Sequence, residues 1–166
     1  MNVNQYTIKA QEAIQAALEL AQSNENQALE PGHVLKALLA GDDALVENLL
    51  KKVGVNVDFV KQKLDADVLA SYPKVSGGSG QPYLSNEASK LFEAAEKQAK
   101  TMNDDYVSVE HVLMAFSHGK DKAAQLLKDQ GLKAKDLSKA IEEVRGGQRV
   151  TDQSAEDTYQ SLQKYA

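Results

Sequence analysis

Three observations predict an all-α fold for this chain. Ala, Leu, Val, Glu, Lys and Gln dominate, aromatics are only 5% of 166 residues and tryptophan is absent, which is a helix-forming composition. Apolar residues recur at three- and four-residue steps through most of the length. One stretch is also written twice: Glu30-Pro31-Gly32-His33-Val34-Leu35-Lys36-Ala37 returns as Ser108-Val109-Glu110-His111-Val112-Leu113-Met114-Ala115, the histidines 111 − 33 = 78 positions apart. A period of this size marks a duplicated folding unit. The prediction is two tandem, pseudo-twofold-related four-helix repeats, eight helices in all, joined by a Gly/Ser/Pro linker.

Thr7 is a good N-cap, and Ala10, Ile14, Ala17 and Ala21 line one face of a first helix ending near Ser23. The polar run Ser23-Asn24-Glu25-Asn26-Gln27 reads as a loop. Pro31 then opens a second helix, with Val34, Leu35, Leu38 and Leu39 as its stripe, and Gly41-Asp42-Asp43 stops it and supplies the next cap. A third helix carries Leu45, Val46, Leu49 and Leu50 and ends at Gly54. Asn56 caps a fourth, in which Val57, Val60, Leu64 and Val68 point one way.

Repeat one therefore spans about residues 5–70, and 71–83 is a flexible linker bounded by Pro73 and Pro82. Ser85 restarts the cycle in the role of Thr7, with Ala88, Phe92, Ala95 and Ala99 as the repeated face. After one residue is lost near Asp43 the offset becomes 77, so that Gly54 matches Gly131 and Leu64 matches Ile141. Repeat two closes at about 145. Residues 146–166 are polar at first, and then Ser154-Ala155-Glu156-Asp157 looks like a helix start leading into Tyr159, Leu162 and Tyr165. That segment reads as a flexible or partly helical connection toward something further along.

Composition excludes several functions. With 24 acidic against 19 basic residues the net charge is −5, and no basic block exceeds Lys51-Lys52, which argues against nucleic acid or an anionic membrane as partner. The absence of cysteine removes disulfides and thiol catalysis. The amino-terminal stretch lacks the apolar core of a signal peptide, and a soluble, cytoplasmic protein is expected. No phosphate-cradling G-x-x-x-x-G-K-[ST], G-x-S-x-G or H-E-x-x-H is present, so no enzyme is expected in this stretch.

A capped helix, a polar loop and X-X-X-His-Val-Leu, repeated in register across a Gly/Ser linker, resembles the Clp amino-terminal repeat domain over about residues 5–145. That domain precedes the ATPase rings of Clp/Hsp100 unfoldases. The tail from Arg145-Gly146-Gly147-Gln148-Arg149-Val150 to Thr158-Tyr159 is similar to the connection to the first ATPase domain in ClpB-type disaggregases. The resemblance implies a substrate-binding domain that weakly binds unfolded or aggregated polypeptide and hands it to a homohexameric ring, working with the DnaK chaperone system. This stretch would itself be a monomer without cofactor, ATP and Mg belonging to ATPase domains outside it. An adaptor-docking domain of a ClpA- or ClpC-type protease chaperone is the alternative reading.

The resemblance also implies substrate contacts. Thr7, Asp104 and Glu110 would offer polar groups at the edge of a shallow groove, and Phe92, Ala94 and Gln98 would line it, although relatives can carry leucine at the position of Gln98. The phosphoarginine-capturing glutamate that ClpC-type relatives place before both histidines is Gly32 in repeat one. Each residue also has a plainer role. Thr7 caps a helix, Glu110 meets a helix dipole, the stripe of the fifth helix is core, and Asp104-Asp105 is a solvated loop. His33 and His111 lack the three or four donors of a metal site and are expected to hydrogen-bond locally at helix starts.

Overall fold

The structure, a computed structural model, describes residues 2–41, 44–75 and 80–159. Among these are eight α-helices in two sets of four. The first set is α1 (Ile8–Ser23), α2 (Pro31–Ala40), α3 (Leu45–Lys52) and α4 (Val57–Lys63), and the second is α5 (Asn86–Thr101), α6 (Val109–Ser117), α7 (Lys122–Asp129) and α8 (Ala134–Arg145). Thr7 Oγ1 accepts from the Ala10 amide at 3.1 Å and Ser85 Oγ from the Ala88 amide at 3.0 Å, so the two long helices start with the same bond. Asn56 caps α4 as expected. The Asp42-Asp43 cap lies outside the described residues, and Ala44 stands before α3. Gly54 and Gly131 take the left-handed conformation (φ +87° and +102°) that ends α3 and α7 and that a Cβ would strain.

α1 and α5 end in a way the sequence does not advertise. Glu25 and Asn103, 78 positions apart, hold positive φ (58° and 57°) where glycine is usual. The amides of Asn26 and Asp104 then reach back to the Ala21 and Ala99 carbonyls at 2.8 and 2.9 Å, closing a Schellman-type turn. This turn places Asn26 and Asp104 where their side chains meet the next helix.

The repeats exchange short extended segments across the pseudo-twofold. β1 (Ala28–Leu29) pairs in parallel with β2 (Tyr83–Leu84), and Tyr6 bridges Val107 in the same sense. Since 84 − 6 = 107 − 29 = 78, these are one interaction seen from each side. Each repeat's entry into its long helix is thus tied to the loop of the other, and the buried side chains of both join in one continuous core. A half of about this size would be marginal alone, which is why sharing matters.

Three boundaries differ from expectation. α4 runs on through one π-turn (Leu64–Val68) and a 3-10 turn (Leu69–Ser71), whereas α8 is unbroken. The linker is pinned at both ends, by a bridge between Asn26 and Lys74 and by β2, while Ser76–Ser79 lie outside the described residues. Packing also continues past 145: Val150, Ala155, Glu156 and Tyr159 are buried and 155–159 is helical. Leu162 and Tyr165 lie outside the described residues.

Candidate functional site

Both histidines complete the start of a helix. In α2 the Glu30 amide donates to His33 Nδ1 at 3.0 Å, and in α6 the Ser108 amide donates to His111 Nδ1 at 2.8 Å, the imidazole taking the place of the returning glutamate of a capping box. With Nδ1 accepting, the ring proton sits on Nε2, facing Asn26 Oδ1 at 2.8 Å in repeat one and Asp104 Oδ2 at 2.6 Å in repeat two. One backbone design therefore locks loop to helix twice, once with a neutral partner and once with a carboxylate.

What covers each turn also differs. In repeat one Tyr72 lies against His33 (ring centroids 5.1 Å apart), and its hydroxyl accepts from the Gly32 amide at 3.1 Å. A Cβ on residue 32 would come within 2.6 Å of that hydroxyl, so any larger residue here must displace the Tyr72 ring. Burial alone lowers the His33 pKa to about 4.

In repeat two the glycine becomes Glu110 and the position of Val68, 77 residues on, becomes Arg145. The Arg145 guanidinium, side chain 6% exposed, bonds Glu110 Oε2 and Asp104 Oδ2, each at 3.0 Å. Burial works against its charge, but Glu110, Tyr159 and Asp104 more than offset this and raise its pKa. Burial likewise disfavours the Asp104 carboxylate, yet bonds from His111 and the Val150 amide and the Arg145 charge lower its pKa overall.

The tail closes this cluster. The Val150 amide donates to Asp104 Oδ1 (2.9 Å), the Ile8 amide to the Gln153 carbonyl (2.9 Å) and the Asp105 amide to the Val150 carbonyl (2.8 Å). Glu156 Oε2 accepts from Thr7 Oγ1 at 2.5 Å and from the Val109 amide at 3.2 Å, and Tyr159 lies under the Arg145 guanidinium, 5.5 Å from centroid to Cζ. Burial, then the nearby Glu110, push the Glu156 carboxyl up to about 7 against the pull of its hydrogen bonds.

Two open clefts occupy equivalent surfaces. One, about 330 Å³, lies between α1 and the α2–α3 corner and is lined by Lys9, Glu12, Ala13, Ala16, Ala37 and Gly41 among others. The other, about 540 Å³, lies between α5 and the α6–α7 corner and includes Glu87, Lys90, Leu91, Ala94, Ala115 and Gly119. Each of those six pairs is separated by 78 positions. The floors are small and apolar in both, and the rim charges are exchanged, Lys9 for Glu87 and Glu12 for Lys90.

The implied contact residues are redistributed by this geometry. Thr7 and Glu110 are 0% and 1% exposed and the Asp104 side chain is 0% exposed, so they do not stand at an open groove edge. They meet one another beneath the tail instead, and Asp104 is no solvated loop residue. Phe92 is core, edge-on to Tyr6 at 6.2 Å between centroids. Ala94 does line the larger cleft, while Gln98, half-buried, is not among its lining residues. Sequence reasoning missed Arg145, Glu156 and Tyr159 as partners of these groups. The positional exchange of Gly32 and Val68 for Glu110 and Arg145 was a visible signal of a new ion pair.

Fold and sequence together define a duplicated eight-helix domain. The chain belongs to the Clp repeat (R) N-terminal domain family, whose sequence profile matches residues 5–162. Over its whole length it is 43% identical to the chaperone protein ClpB of Bacteroides thetaiotaomicron, of which it spans 19%. The crystal structure of the Hsp104 N-terminal domain from Candida albicans superimposes with a TM-score of 0.80 at 23% identity, covering 92% of this chain and 99% of that one. A ClpV N-domain solved in complex with a VipB peptide superimposes at 0.69 with 19% identity, over 84% and 86% of the two chains.

Proposed function

We propose that this domain receives non-native polypeptide for a ClpB-type ATP-dependent disaggregase. The observation that carries the reading is the pair of equivalent clefts, each an apolar floor between charged rims of both signs, open on the same face of each repeat. Such a surface suits exposed aliphatic side chains with flanking charge and demands no particular sequence. Apolar area contributes about 25 cal/mol per Å² before the cost of ordering the ligand is subtracted, so each cleft binds weakly. Weak sites are sufficient where a homohexamer presents six tethered copies, because effective concentration multiplies them.

The ClpB likeness over the full length and the VipB-peptide complex of a structural neighbour support this assignment. ATP hydrolysis with Mg, cooperation with the DnaK system and a cytoplasmic setting belong to the longer protein of which this would be the leading domain. An adaptor-docking role in a ClpA- or ClpC-type machine is supported by the shared fold alone.

The test is a fluorescence-anisotropy titration with a permanently unfolded, alkylated protein. Ala94→Glu and Ala16→Glu together place a charge in each floor and are expected to weaken binding at least tenfold with the helical circular dichroism unchanged. Undiminished binding by the double variant refutes the cleft assignment.

A further inference from the structure

The polar seam under the tail is built unlike a permanent core. Three carboxyl groups, Asp104, Glu110 and Glu156, have buried side chains here, and the one buried guanidinium, Arg145, bonds only the first two. Glu110 Oε1, Glu156 Oε1 and Tyr159 Oη are fully enclosed yet have no hydrogen-bond partner among the described residues. Enclosed polar atoms without partners disfavour the closed arrangement, and the two that the tail itself carries, Glu156 Oε1 and Tyr159 Oη, regain water when it lifts. Among the described residues the buried apolar anchors of the tail are Val150, Ala155 and the ring of Tyr159. At the corresponding turn of repeat one, Tyr72 closes the site and satisfies the Gly32 amide, and the carboxylate there, Glu30, is half-buried and not enclosed.

The bonds that shape the surface beneath the tail are made within the body. Thr7 bonds the Ala10 amide, His111 bonds the Ser108 amide and Asp104, and Arg145 bonds both carboxylates, none of them through the tail. What the tail uniquely satisfies is a row of body amides on both repeats: Ile8, Asp105 and Val109. A row of backbone donors beside apolar recesses is what an extended polypeptide takes up, as the tail itself does.

We propose that residues 148–159 are a strap that docks and releases as one unit, latched by Glu156, and that the seam it uncovers is a second polypeptide-binding site for which strap and ligand compete. The second half rests on the polypeptide-binding reading above. The strap leaves the seam as a whole because its anchors alternate along it, Val150 on Asp104, Gln153 on Ile8 and Glu156 on Thr7, so that loss of one unseats its neighbours.

The chain contains no cysteine, so an Ile8→Cys/Gln153→Cys pair, at positions already joined by a backbone bond, gives one strap that is locked when oxidised and free when reduced. Native-state hydrogen exchange reads the strap itself. With the strap free, the Ile8, Asp105 and Val109 amides are expected to exchange together, at least a hundredfold faster than the α5 and α6 core. Oxidation should bring them to the rate of the core, and Glu156→Ala without the disulfide should speed them at least tenfold. Exchange of those three amides at the core rate with the strap free overturns the strap.

Binding of the alkylated unfolded protein is expected to be about fivefold weaker in the locked form than in the reduced one, and equal affinities overturn the second site. Loss of binding in both forms would count against polypeptide binding altogether, leaving exchange to decide the strap.

Discussion

Repeat one and repeat two solve the same problem with different chemistry. Each must fasten a loop to the start of its second helix, and each does so with a histidine that accepts one amide and donates to the side chain seven residues before it. Around its histidine repeat one finishes the job with the neutral Asn26 and Gly32 and with Tyr72 from its own linker, beside a Glu30 that is only half-buried. Repeat two uses Asp104, Glu110, Arg145 and Glu156, and needs the tail to exclude water. A neutral closure is stable once made, whereas a charged one depends on every partner being present. Duplication thus conserved the backbone while leaving one copy free to become conditional.

The sharpest way to break this contrast is at its equivalent positions 68 and 145. Arg145→Ala leaves Asp104 and Glu110 buried without a counter-charge, an expected loss of about 3–5 kcal/mol. Val68→Ala should lose roughly 1.5–3 kcal/mol of apolar burial. Urea denaturation of the two compares them, and an Arg145 variant no weaker than the Val68 one would mean that charge does not hold repeat two together.

Next is Gly32→Ala. The new Cβ meets the Tyr72 hydroxyl at 2.6 Å, and overpacking of this kind costs about 1–3 kcal/mol. Pairing it with Tyr72→Phe should cost less than the sum of the two single changes, since the clash and the hydroxyl leave together. Strict additivity would show that the close approach is not what demands glycine.

The N-caps give a smaller contrast. Thr7→Ala and Ser85→Ala each remove a cap worth about 0.5–2 kcal/mol. Thr7 also donates to the buried Glu156, where Ser85 bonds the half-buried Glu30, so the Thr7 change should cost more and, unlike Ser85→Ala, speed exchange at the Val109 amide.

The subtlest difference is in pH dependence, where the two closures have opposite signs. His33, lowered to about 4, makes its full contribution above the ordinary imidazole range and loses it as pH falls toward 4. Glu156, raised to about 7, binds its proton more tightly docked than free. Its contribution is therefore full below the ordinary carboxylate range and is lost as pH rises through about 7. The groups facing it are Glu110 of α6, the Thr7 hydroxyl and Val109 amide that bond it, and Tyr159 of the strap itself, with Lys9 of α1 on neighbouring Asp157 and Arg145 of α8 and Asp104 one step away, on Glu110 and Arg145 respectively. Exchange at Ile8 and Asp105 should quicken, relative to the core, between pH 5 and 7, and Glu156→Gln should flatten that trend.

Much of the architecture was legible because it is local and stated twice. Caps at Thr7, Asn56 and Ser85, glycines at 54 and 131 and the stripes of each helix are near-neighbour effects that periodicity reports. The left-handed Glu25 and Asn103 were not, since neither residue type signals that conformation. The clefts were partly visible through Ala94. The burial of Thr7, Asp104 and Glu110 was hidden because it depends on Glu156 and Tyr159, brought back from far along the chain by tertiary packing. Capping and ligand contact demand the same residue types, so sequence could not tell one from the other at Thr7 or Glu110.

The most direct test of polypeptide reception is amide chemical-shift mapping as the alkylated unfolded protein is added. The expected result is parallel movement at Ala13, Ala16 and Ala37 in one cleft and at Leu91, Ala94 and Ala115 in the other, abolished in the Ala16→Glu/Ala94→Glu variant. Shifts confined to α4 and α8, or none at all at saturating ligand, would contradict it.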